Sequence, residues 1–213
     1  MREADYMKRL YKCEYSEDMG VAAIDENSKR SRIKHLNISC PPVPVLLVKE
    51  KFYDQVGNLM TKASGCTRNA DGVVMFDGNN GATMLFCEMK SSDGGVRDSA
   101  FIQVSSSYIK TFIALSACDG VDVNNVNIYF VFTAQNSGDL AIRTAELDEA
   151  ETGTLNLNEQ RERSLLHGET VTVKVRDLWR NCPNFHPSLI DKDVVCMLKT
   201  SDNDTVTFDA SGF

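Results

Sequence analysis

No apolar run in this chain is long enough to cross a bilayer. The longest, near Val43–Val48 and Ile128–Phe132, fall far short of the roughly 20 residues that a spanning helix needs. The opening stretch, Met1–Leu10, is charged and lacks the apolar centre of a secretory signal. The seven cysteines are scattered and form no C-x-x-C pair. Neither a structural zinc site nor a disulfide framework is therefore indicated, and reduced thiols in a cytoplasmic compartment are expected. His35, His167 and His186 share no spacing that suggests a zinc site. No glycine-rich loop ends in Gly-Lys-Ser/Thr, which leaves ATP-driven chemistry without support. Ser105-Ser106-Ser107 falls within a helical pattern and is not a nucleophile elbow.

Positive charge is also short. Against 30 acidic residues stand 23 lysines and arginines, for a net charge of −7. Phosphate binding normally rests on a basic surface, so this balance weighs against unaided nucleic-acid contact. Bound divalent ions or a local patch would offset it. The one concentrated basic run, Lys29-Arg30-Ser31-Arg32-Ile33-Lys34-His35, reads first as a solvated loop or helix face. What remains is an ordinary globular composition, 42% hydrophobic over 213 residues, enough for one sizeable core. With no repeat or low-complexity tract, a single domain over 1–213 is expected. It would have a core at about 45–135, an N-terminal extension at 1–44 and a C-terminal elaboration at 136–213.

The most informative stretch runs from Asp71 to Lys90. Two apolar runs, Gly72–Phe76 and Ala82–Cys87, flank a Gly/Asn-rich break at Gly78–Gly81. That is a β-hairpin pattern, because the turn residues tolerate positive φ and the flanks carry strand formers. The register then sets Asp77 against Ala82, Met75 against Met84, Val73 against Phe86 and Asp71 against Glu88. Side chains alternate along a strand, so Asp71, Glu88 and Lys90 share one face. Opposed Cβ atoms lie about 4.5–5.5 Å apart, and two carboxylates at that range repel unless a cation intervenes. A cross-strand salt bridge, worth up to about 1 kcal/mol, is the plainer alternative. Asp77 would lie roughly 20 Å from Glu88 and reads as a turn residue.

Asp71 with Glu88-Met89-Lys90 resembles the signature of the PD-(D/E)XK nuclease superfamily, the restriction-endonuclease-like domains. The resemblance spans roughly Leu46–Phe132, with Ala70 where the family's name-giving pattern has proline. It implies an α/β fold with a mixed central sheet flanked by helices, here with a β-rich C-terminal elaboration. It further implies a Mg²⁺- or Mn²⁺-dependent nuclease, a DNA endonuclease of restriction or phage defence. Asp71, Glu88, Lys90 and Gln103 would be catalytic. Asp71, Glu88 and the Met89 backbone carbonyl would hold the metal, with Glu50 (or Asp54) on a preceding helix as a further candidate. Nucleic acid is the implied partner, together with a homodimer or a protein partner. The rival expectation is a non-catalytic module that keeps the fold and binds a protein through its acidic surface.

Along the rest of the chain, Ala4–Tyr15 is expected to form a short amphipathic helix and Ser16–His35 a connecting segment. The Cys40–Pro44 tract reads as an extended lead-in, since proline suits neither a helix interior nor a central strand. Val45–Lys62 is expected to be helical, as is the stretch from Val96 to Asp119. Asn127–Phe132 suits a strand covered on both faces, parallel to the hairpin by a crossover. Residues 135–153 read as loop, Leu155–His167 as a charged helix and Thr170–Val175 as a strand. Val194–Leu198 and Thr205–Phe208 read as a terminal hairpin.

Overall fold

A computed structural model describes residues 5, 15–27, 31–57, 67–90, 98–116, 123–150, 153–179 and 182–213. Its strands are β1 (Tyr15–Asp25), β2 (His35–Lys49), β3 (Gly72–Gly78), β4 (Gly81–Lys90), β5 (Asn127–Gln135), β6 (Val171–Lys174), β7 (Asp193–Ser201) and β8 (Thr205–Asp209). They form one mixed sheet in the order β1-β2-β3-β4-β5-β7-β6, with β8 also beside β2. The helices are α1 (Glu50–Gly57), α2 (Asp98–Ser116), α3 (Gly138–Glu149), α4 (Leu157–Leu166), α5 (Val175–Leu178) and α6 (Pro187–Ile190). The chain is therefore a mixed α/β protein built on an open eight-stranded sheet.

The central hairpin forms in the expected register. Val73 pairs Phe86, Met75 pairs Met84 and Asp77 pairs Ala82, and Gly78 pairs Gly81 across Asn79-Asn80. Gly81 takes a φ of 110°, which a side chain would oppose. The apolar run at β5 lies parallel to β4, as the crossover pattern requires.

Alternation divides the core into two. Met84 and Phe86 pack with Phe101, Tyr108 and Phe112 of α2 on the helix-covered face. Leu85, Cys87 and Met89 face the other way, against Ile24 of β1, Leu36 and Ile38 of β2, and Val206 and Phe208 of β8. The sheet's own strands thus cover its second face.

Five expectations are corrected. The first half of the segment read as a connection, Ser16–His35, belongs to β1, whose inward residues Ala22 and Ile24 are buried. The proline tract lies inside β2, a strand of 15 residues. Along one edge, β8 pairs His35–Ser39 and β3 pairs Leu46–Lys49, so the prolines fall in the gap between two partners. Along the other edge, the pairing with β1 shifts register between Met19 and Val21. There Gly20 has a φ of 70° and a Cβ on it would sit 3.4 Å from the Pro41 carbonyl oxygen. Because β2 runs on to Lys49, α1 starts only at Glu50; residues 58–62 of the expected helix lie outside the described residues.

The stretch read as loop contains α3, capped by the Ser137 hydroxyl accepting from the Leu140 N–H. Only Leu140 and Leu147 of α3 are buried, which explains its weak apolar signal. The terminal strands do not form a hairpin: β7 pairs β5 and β6, while β8 pairs β2. The expected helix at Ala4–Tyr15 lies outside the described residues apart from Asp5, which is helical, and Tyr15, which is the first residue of β1.

Candidate active site

The β3–β4 ladder ends at Gly72 and Cys87, and Asp71 follows at its open end. The Asp71 N–H donates to the Cys87 carbonyl at 3.0 Å. Its Oδ2 accepts from the Met89 N–H at 2.5 Å, capping a donor that β3 no longer reaches. The N–H and C=O of a strand residue point to the same edge, so the Met89 carbonyl also turns toward Asp71. Glu88 stands one residue away on the face shared with Phe86 and is buried, at 2% exposure. The backbone of Lys90 ends β4; its side chain lies outside the described part of the structure.

Charge from both carboxylates reaches one neighbour. The buried Cys87 thiol is pushed well above its usual range, first by burial and then by Asp71, Cys40 and Glu88. A thiol held protonated in this way is no nucleophile.

Asp71 borders a cleft of about 310 Å³ between the ends of β1, β2 and β3. Four carboxylates, Asp25, Glu26, Glu50 and Asp71, line it, with Lys49 as the one basic lining residue among the described residues. Glu50 opens α1 on this cleft. Its pKa is raised by partial burial, then by Asp54 and Glu26, while Lys110 pulls the other way. Asp25 also pairs with His35 at 2.8 Å on the exposed β1–β2 edge. Glu88 does not line this cleft, so the hairpin brings the two signature carboxylates into register while only Asp71 borders it.

Gln103 sits on α2, where its Nε2 donates to the Asn69 carbonyl at 3.0 Å, two residues before Asp71. Two further α2 side chains act on the same segment. The Ala70 N–H donates to Ser107 Oγ at 2.8 Å. Lys110 Nζ donates to the Arg68 carbonyl at 3.1 Å and to Asn69 Oδ1 at 2.5 Å. Asn69 Nδ2 in turn donates to Asp54 Oδ1 at 2.5 Å. Asp54, the alternative to Glu50, therefore holds Asn69.

Ser107 and Lys110 were not among the expected site residues. The signal was present, since residues 103, 107 and 110 are polar and recur at helical spacing. No protein-family model matches the chain, and neither curated proteins nor solved structures give a match.

Proposed function

We propose that this chain is a metal-dependent nuclease of the restriction-endonuclease-like kind, cutting DNA internally. The observation that carries the reading is the hairpin end. There Asp71 caps the amide of Met89, between Glu88 and Lys90, beside an acid-lined cleft.

Two carboxylates and a carbonyl are hard oxygen donors. Mg²⁺ takes such donors one or two carboxylates at a time and keeps several waters. Among the described residues no group of three or more His, Cys, Asp or Glu side chains is placed to hold an ion. The reading takes Asp71, Glu88 and the Met89 carbonyl as the protein's donors, a number that Mg²⁺ or Mn²⁺ accepts beside several waters. When bound, such an ion polarises a phosphate and acidifies water. Asp71 and Glu88 would hold it, and Glu50 would add negative charge from the far wall of the cleft. Lys90 would orient the attacking water or a phosphate oxygen, a task that proximity to a metal favours by lowering an ammonium's pKa. A resident cation also answers the net charge of −7, since it supplies at the site the positive charge that the surface lacks.

One observation favours a second reading. Glu88 is buried, which suits a carboxylate kept for packing in a non-catalytic interaction module. Incubating supercoiled plasmid, linear duplex and single-stranded DNA with Mg²⁺ or Mn²⁺ separates the two. Wild type is expected to cut at least one substrate, while Glu88→Ala and Lys90→Ala remain folded by circular dichroism and inactive. Equal nicking by wild type and variants, or none by any, removes the nuclease reading.

A further inference from the structure

The segment entering Asp71 is suspended from one helix. Residues 68–70 precede the first paired residue of β3, Gly72, so no strand ladder fixes them. The bonds described for their peptide groups come instead from α2. Lys110 donates to the Arg68 carbonyl, Gln103 donates to the Asn69 carbonyl, and Ser107 accepts from the Ala70 N–H. These side chains are spaced four and three residues apart and so lie on one stripe of the helix. Ser107 and Lys110 are fully buried and Asn69 is 5% exposed, so the contacts are shielded from competing water. Asn69 joins the stripe to α1 by accepting from Lys110 and donating to Asp54.

We infer that Gln103, Ser107 and Lys110 are positioning residues, a three-point clamp that sets the Asp71 carboxylate at the hairpin end. The catalytic consequence rests on the nuclease reading; the clamp itself does not. Burying an ammonium is costly, and a neutral donor would hold a loop equally well. The charge of Lys110 has a second use here, because it reaches Glu50 and opposes the effect of Asp54 and Glu26 on that carboxyl. Clamping the approach to a metal-binding carboxylate matters because small displacements of reacting groups cost rate far more than binding.

The test uses the full chain with Ser107→Ala and Lys110→Met, and Ser107→Thr as the variant that retains the hydroxyl. Amide hydrogen exchange is followed residue by residue, beside Mn²⁺-supported plasmid cleavage. Ser107→Ala and Lys110→Met are expected to speed exchange at Ala70, Asp71 and Met89 by about tenfold, leaving Val74–Phe76 within about twofold. They are expected to lower kcat by about tenfold with KM nearly unchanged. Ser107→Thr is expected to restore both. Unchanged exchange at Ala70 and Asp71 overturns the clamp, as does acceleration spread evenly over β3 and β4. Unchanged kcat in an active protein overturns its catalytic role. An inactive wild type with the local exchange pattern intact overturns the nuclease reading and upholds the clamp.

Discussion

The molecule carries acids in two contrasting settings. Where α3 meets α4, Arg143 lies 2.7 Å from Glu162, 3.4 Å from Glu146 and 3.9 Å from Glu159. Arg163 and His167 both reach Asp148 at 2.9 Å. In the cleft beside Asp71 bases are scarcer, with four lining carboxylates and one lysine among the described residues. Their titration differs in the same sense. Hydrogen bonds from His167 and then Arg163 hold Asp148 below its ordinary pKa, whereas Glu50 is held above its own by burial, Asp54 and Glu26. Acids already matched by bases serve the fold. Glu50, raised by its acidic neighbours Asp54 and Glu26, feels a repulsion that an added cation would relieve.

Breaking the contrast at its sharpest point gives the largest expected effect. Asp71→Asn and Glu88→Gln should each lower Mg²⁺-supported plasmid cleavage by about 10²–10³-fold, read from nicking rates of folded protein. On the matched side, Arg143→Met should leave cleavage intact and cost stability. It strips the buried Glu162 of the guanidinium 2.7 Å away, and breaking such a pair costs about 3–5 kcal/mol when fully buried. Partial exposure of Arg143 brings the expectation down to about 2–3 kcal/mol in urea unfolding.

Glu50→Gln should do the opposite and stabilise the metal-free protein, by less than about 1 kcal/mol because solvent screens the group. The sign follows from its raised pKa. Folded protein binds that proton more tightly than unfolded chain, so the penalty is absent at low pH and complete above the raised value. Melting curves across this window should converge on acidification, and Mg²⁺ should close the gap near neutrality. Asp148→Asn should give the smallest change. A lowered carboxyl pKa contributes stability above its ordinary value and loses it as pH falls through the lowered one. The variant should therefore melt slightly lower at neutral pH and match wild type in strong acid.

The parts of the fold legible in the sequence were those where one local signal dominated. Asn79-Asn80 between apolar runs set the hairpin register, and the apolar stretch at β5 left little choice but a covered strand. What escaped depended on partners distant in sequence. β1 buries only part of its length, and its Ser16-Glu17-Asp18 opening looks like loop until β2 is beside it. Prolines read as excluding a central strand because nothing local reveals that β2 has a gap between its neighbours. At the site, the Asp71–Glu88 register was readable from the turn. The burial of Glu88 and the grip of α2 on 68–70 were not, since both arise from the packing of α2 on the sheet.

Three prolines divide β2, and their alternating positions deprive both of its edges of a donor. β8 and β3 therefore cannot lengthen along their shared neighbour into each other's stretch. The imino acids work as a fence post: on the edge shared by β8 and β3, a slip of either strand would run into residues that lack a donor. The alignment of the hairpin bearing Asp71 is thus guarded from a point some thirty residues earlier in the chain.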